Sequence, residues 1–212
     1  MTTVILLHGW GYDASLWDAV RALLPGSLRV GTLDFGFFGE ERLKFGAGET
    51  APMIDLAVGH SLGTLWWLTQ TGIRWRKLLA INGFPRFTET AGFAPAIAPR
   101  VLDRMRQQFR RDPTMVLAEF HARCGGHAPA GTPDTERLAA ALDGLAVWDG
   151  RAALAARRAD VVALAGRHDP IVPATMSEMA FGEVELIDAA GHLLPATHPQ
   201  ECARRIERLV DA

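Results

Sequence analysis

The chain has 212 residues, 49% hydrophobic and 22% charged, a balance that suits one globular unit with a substantial core. Its formal net charge of -2 argues against a general nucleic-acid binder and against a polybasic membrane anchor. Cys124 and Cys202 lack metal-ligand spacing, no apolar run reaches transmembrane length, and the first ten residues lack a signal-peptide pattern, so a cytoplasmic protein is expected.

Val4-Ile5-Leu6-Leu7 reads as a buried strand, ended by the turn His8-Gly9-Trp10-Gly11. Asp13 or Ser15 is placed to cap a helix reaching about Leu24, with Leu16, Trp17, Val20, Leu23 and Leu24 at helical spacing and Pro25-Gly26 as its stop. Residues 28–33 form a second strand, followed by an aromatic, glycine-rich loop from Asp34 to Gly39. Residues 40–53 carry the weakest pattern, one short helix at most. Ile54-Asp55-Leu56-Ala57-Val58 is a short apolar strand, and residues 64–70 continue helically beyond Gly59-His60-Ser61-Leu62-Gly63. Residues 77–82 predict another strand. From about Phe84 to Val147 the alternation gives way to proline-punctuated helical segments, read as an insertion. Residues 161–166 and 184–188 resume as strands, and a last helix spans about 199–210.

Strands alternating with helices imply an α/β fold: a mostly parallel sheet with helices on both faces. The expected organisation is a core from residues 1–83 and 148–212, interrupted by a helical cap at 84–147.

A serine between two glycines at a strand-to-helix junction has the pattern of a nucleophile elbow, a tight turn that thrusts the hydroxyl out above the sheet. Ser61 is one of only four serines, which makes a chance match rare. A serine nucleophile needs a base, and the base needs a partner to fix its tautomer. Asp169 sits just past the strand at 161–166, and His192 follows the next strand in Ala189-Ala190-Gly191-His192. Both fall at the carboxyl edge of the sheet, and the order Ser61, Asp169, His192 is that of an α/β-hydrolase. Singly, Asp169 reads as a turn former before Pro170 and His192 as a structural histidine; their joint placement reverses that balance.

Other histidines are poorer bases. His168 shares the loop of the acid, His198 begins the last helix, and His60 points away from its neighbour Ser61. Asp160 precedes its strand and so lies at the wrong edge. The developing oxyanion needs two N–H donors. The Leu62 backbone at the start of the elbow helix offers one, and the Trp10 backbone in the loop after the first strand the other. His8 is expected to brace that loop. No His/Asp/Glu cluster has metal spacing and no G-x-G-x-x-G appears, so neither a metal nor a nucleotide cofactor is expected. Phe84, Phe87, Phe120, Trp148 and Leu193 are candidate walls for an acyl chain, with core packing as the alternative.

With these residues in place, the chain resembles the α/β-hydrolase superfamily over nearly its whole length. Within it the sequence is similar to the pimeloyl-acyl-carrier-protein methyl ester esterases of biotin synthesis. The likeness runs through residues 6–17 (Leu-Leu-His-Gly-Trp-Gly-Tyr-Asp-Ala-Ser-Leu-Trp), Gly59-x-Ser61-Leu62-Gly63 and Pro85-Arg86-Phe87. It continues through Val101-Leu102, Gln107-Gln108, Phe120, Gly191-His192 and His198-Pro199. The resemblance implies Ser61 as nucleophile, His192 as base and Asp169 as its orienter. It implies that Trp10 and Leu62 line the oxyanion hole and acyl pocket, and that Phe120, His121, Ala122, Arg123 and Cys124 lie in the cap over the substrate.

The implied substrate is a methyl ester of a pimeloyl chain on acyl carrier protein. That carrier is acidic, so the cap is expected to offer a cationic face. Arg100, Arg104 and Arg111 recur at helical spacing, as do Arg106 and Arg110. A merely solvated helix face is the alternative. Three departures stand out. The chain opens almost at its first strand, without the relatives' leading hairpin. The stretch from Asp34 to Gly59 is short. Asp34-Phe35-Gly36-Phe37-Phe38-Gly39 replaces the usual Asp-x-Pro-Gly-x-Gly. A monomer without nucleic-acid or membrane partners is expected. A carboxylesterase for free short- or medium-chain esters and a non-catalytic acyl-ligand receptor of the same fold remain as the other readings.

Overall fold

The computed structural model describes residues 1–43 and 53–211. Most of the short helix anticipated between 40 and 53 falls outside these residues. Six strands, β1 (Thr3–Leu7), β2 (Arg29–Leu33), β3 (Ile54–His60), β4 (Trp75–Ile81), β5 (Val161–Gly166) and β6 (Glu185–Ile187), form one sheet in the order β2-β1-β3-β4-β5-β6. All five pairings are parallel. Strand order reverses where β1 meets β3, so the loops leaving those two strands face each other across the carboxyl edge, the place where open α/β sheets bind ligands.

Alternating side chains separate two cores. Leu7, Ala57, Leu78, Ala80 and Ala163 face one side, and Val4, Leu6, Leu56, Val58, Leu79, Ile81 and Leu164 the other. The second face is covered by α1 (Asp18–Leu23) and, at the chain's end, α9 (Pro199–Asp211), through Val20, Cys202, Ala203 and Ile206. The helix expected from residue 13 begins instead as a 3-10 turn, Ala14–Trp17, capped by the Asp13 carboxylate on the Ser15 N–H at 3.0 Å. The first face is covered by α2 (Leu62–Thr69), whose whole length from Leu62 to Leu68 is buried.

Between β4 and β5 the chain runs through α3 (Pro99–Arg111), α4 (Pro113–Cys124) and α5 (Thr135–Val147). The corner between α3 and α4 is a single residue. Asp112 closes α3 with its N–H on the Gln108 carbonyl and opens α4 by accepting from the Met115 N–H at 2.9 Å. Pro113 then stands at the first helical position, where a missing N–H costs nothing. Gly125, at φ 74, ends α4 in the left-handed conformation. Asp134 caps α5 on the Arg137 N–H at 3.0 Å. Leu102, Phe109, Val116, Leu117, Leu138, Leu142 and Leu145 from these helices join the core over α2. Full burial of such a side chain contributes roughly 1.5–3 kcal/mol. Short helices α6 (Arg151–Ala156), α7 (Ala174–Phe181) and α8 (Leu194–Thr197) complete the fold. Among the described residues no helix is long and apolar enough to cross a membrane.

Candidate active site

Ser61 stands between β3 and α2 with φ 52 and ψ -119, a conformation that L residues rarely adopt and that marks stored strain. The flanking glycines are required by contact. A Cβ on Gly59 would lie 2.5 Å from the Thr64 nitrogen, and one on Gly63 would lie 2.5 Å from the Leu7 carbonyl oxygen. The turn is held by the Ser61 N–H on the Ile81 carbonyl at 3.0 Å and the Thr64 hydroxyl on the Gly59 carbonyl at 2.7 Å. Leu62 is the first residue of α2, so its N–H is one of the unpaired donors of a helix start. The loop after β1 is pressed onto Ser61: a Cβ at Gly9 would meet the Ser61 Cβ at 2.9 Å.

His192 and Asp169 are both buried, and the His192 Nδ1–H donates to Asp169 Oδ2 at 2.7 Å. The other carboxylate oxygen accepts from the backbone N–H groups of Ile171, at 2.7 Å, and Val172, at 2.9 Å. Burial alone would raise the Asp169 carboxyl; the facing His192 and these backbone donors outweigh it and hold it below the usual range. The carboxylate is therefore ionised at neutral pH and accepts the Nδ1 proton of His192, leaving Nε2 free to accept a proton.

His8 braces the β1 loop, with Nδ1–H on the Gly9 carbonyl at 2.9 Å and Nε2 against the Phe35 N–H and the Asp34 carboxylate, each at 3.1 Å. The unusual aromatic loop after β2 has a physical account here. Phe35 and Phe37 stack on each other with centroids 5.3 Å apart and meet the His8 ring edge-on.

A cavity of about 360 Å³ opens beside Ser61. Trp10, Ser61 and Leu62 form its floor; Phe84, Phe87, Phe120 and Leu142 are among its apolar walls, and Arg104, Gln108, Glu119 and Arg123 supply polar groups. The Trp10 indole N–H donates to the Leu138 carbonyl at 2.9 Å, which ties the β1 loop to α5. Four residues expected over the substrate are not among those that line this cavity. His121 turns away because its Nε2–H donates to the Gly11 carbonyl at 2.6 Å. Cys124 and Leu193 are buried together with Tyr12 and Leu16 in a separate apolar cluster, and Ala122 is exposed. Trp148, also considered as a wall, packs instead against Gly144. Conversely Ile97, Val101, Met105, Val116, Leu145 and Ile171 line the cavity without having been expected as walls. Their helical or loop positions carry no signal that separates a cavity wall from core.

The cationic residues on α3 divide into two sets. Arg106 pairs with Asp103 at 3.0 Å and Asp143 at 2.6 Å, and Arg110 reaches Asp143 at 3.4 Å. Among the described residues Arg100, Arg104 and Arg111 make no ion pair, and all three are exposed.

The sequence profile of the alpha/beta hydrolase family matches residues 4–205. The chain belongs to that family. Pimeloyl-[acyl-carrier protein] methyl ester esterase of Serratia marcescens is 26% identical over 242 residues, covering 99% of this chain and 94% of the relative. The enzyme of that name from Legionella pneumophila (strain Corby) is 29% identical over 192 residues, covering 83% and 80%. Among solved structures, an esterase from Exiguobacterium antarcticum superposes with a TM-score of 0.79 at 16% identity, covering all of this chain and 92% of that one.

Two buried polar residues of this alpha/beta hydrolase have partners that the sequence reading did not anticipate. His60 is fully buried, its Nε2–H donating to the His192 carbonyl at 2.8 Å and its ring 4.9 Å from the His192 ring. Burial, with His192 alongside, pushes its pKa down to about 3, so it stays neutral. Asn82, just past β4, donates through Nδ2 to Asp169 Oδ2 at 2.6 Å and to the Gly191 carbonyl at 3.2 Å. The available signal was a polar residue ending a strand at the catalytic edge and followed by glycine. Among the described residues no group of three His, Cys, Asp or Glu side chains is placed to hold a metal.

Proposed function

We propose that this hydrolase is a serine carboxylesterase that cleaves the methyl ester of a pimeloyl chain carried on acyl carrier protein, a reaction of biotin synthesis. The observation that carries the ester-hydrolase reading is the buried His192–Asp169 pair at 2.7 Å, with Ser61 on the strained elbow at the cavity floor. Ser61 Oγ attacks the ester carbonyl as His192 Nε2 takes its proton. The Leu62 and Trp10 backbone N–H groups stabilise the oxyanion. Collapse releases methanol with the proton returned by His192. Water, activated by the same histidine, then frees the acid from Ser61.

Residues 84–147 act as the cap, with Phe84, Phe87 and Phe120 flanking the acyl chain and Arg123 beside it. The named activity of the relatives supports the carrier-bound substrate. So do Arg100, Arg104 and Arg111, exposed on α3, with Arg104 at the cavity wall, and suited to the acidic surface of a carrier protein. The test compares methyl pimeloyl-carrier ester with free dimethyl pimelate at equal concentration. A much higher kcat/KM on the carrier ester is expected. Equal rates would reduce the reading to a carboxylesterase for free esters. Binding without turnover of either would favour a non-catalytic receptor.

A further inference from the structure

We propose that Asn82 is a positioning residue that holds the acid and the base in register; this rests on the Ser61–His192–Asp169 reading. Asp169 and His192 arrive on different loops, after β5 and β6, which are joined along the backbone by the His168 N–H on the Ala190 carbonyl at 3.0 Å. Asn82 sits at the end of β4, with its N–H on the Leu164 carbonyl at 2.9 Å, and is therefore anchored to the rigid sheet. Its side-chain amide spans both loops, donating to Asp169 Oδ2 at 2.6 Å and to the carbonyl of Gly191, the residue before His192, at 3.2 Å. Both partners are acceptors, which fixes the amide orientation with nitrogen toward them.

Asp169 Oδ2 is the oxygen that also receives the His192 Nδ1–H. With the Ile171 and Val172 N–H groups on the other oxygen, the carboxylate has four donors and its direction is fully determined. The arrangement is held against two costs. Asn82 adopts φ 47, the left-handed region, and its Oδ1 is buried without a partner. A residue placed only to end the strand would need neither the unpaired oxygen nor the amide. Asparagine is well suited because its short amide tolerates the left-handed conformation better than most side chains.

The amide acts on the reaction in two ways. It fixes where the carboxylate points, and hence where His192 Nε2 meets Ser61. It also spreads the charge of Oδ2, so removing it concentrates negative charge opposite Nδ1 and favours the protonated imidazole. Asn82→Gly keeps the backbone conformation and deletes the amide. Expected is a fall in kcat of about 10- to 100-fold with KM nearly unchanged. The acid limb of kcat/KM should move to higher pH, and the low-field Nδ1 proton resonance of His192 should shift. Asn82→Ser, whose shorter side chain ends before Oδ2, gives the same readouts if the glycine variant yields little folded protein. Wild-type kcat with an unmoved acid limb would overturn the proposal while leaving the triad standing. A lower kcat with both the acid limb and the proton resonance unmoved would equally overturn it, by marking a structural role alone. Wild type whose ester hydrolysis survives Ser61→Ala would overturn both readings together.

Discussion

The floor of the site and its roof are built by different rules. The floor belongs to the carboxyl edge of a parallel sheet, where Ser61, Asp169 and His192 each sit a few residues past a strand and are held by backbone geometry and short hydrogen bonds. The roof belongs to α3, α4 and α5, where the same apolar side chains that fill the core also wall the cavity, as Leu102, Val116, Leu142 and Leu145 do. Chemistry dictates the floor residue by residue, whereas packing dictates the roof only by size and polarity. Substitutions in the floor should therefore abolish turnover on every ester, and those in the roof should change which ester is preferred.

Two variants separate floor from roof, in order of effect, and a third tests the polar groups buried with the floor. Asp169→Asn removes the anion that fixes the His192 tautomer and should lower kcat by on the order of 10⁴-fold on any ester, measured by steady-state kinetics. A loss confined to carrier-bound esters would erase the distinction. Reversal of Arg104 and Arg111 to glutamate should lower kcat/KM on the carrier ester about tenfold, with less than a twofold change on p-nitrophenyl butyrate. Equal losses would remove the docking role from α3.

The smallest effect is on stability and concerns the buried polar groups around His192. Native His60 stays neutral down to about pH 3, whereas an unfolded histidine takes up a proton near pH 6.5. Between those values the unfolded chain binds the extra proton, so stability should rise with pH across that window. Asp169 works lower on the scale. Its depressed carboxyl stabilises the fold above the unfolded value of about 3.9, and that stabilisation disappears as the pH falls through the lower native value. Denaturant unfolding of wild type and His60→Gln from pH 4 to 7 should show a shallower slope for the variant. Parallel slopes would mean that His60 is protonated in the native protein.

The same contrast explains what could be read before folding. Ser61, Asp169 and His192 were legible because each lies beside its own strand end, and strands are legible from short apolar runs. The helices of the insertion were legible too, as proline-punctuated apolar periodicity. Which of their faces lines a cavity was not. Leu193 follows His192 directly, yet it packs on Tyr12, Leu16 and Cys124 behind the site. Ile171, two residues past the acid, reaches the cavity wall instead. The partners of Asn82 and His60 were not legible because they lie 87 to 132 residues away along the chain and are brought close only by the order of β3, β4, β5 and β6.

The measurement that bears most directly on the account is hydrolysis of methyl pimeloyl-carrier ester by wild type and by Ser61→Ala, with p-nitrophenyl butyrate alongside. The account predicts rapid turnover of the carrier ester by wild type and a loss of at least about 10⁴-fold in a folded Ser61→Ala protein. Turnover that survives the substitution would contradict it.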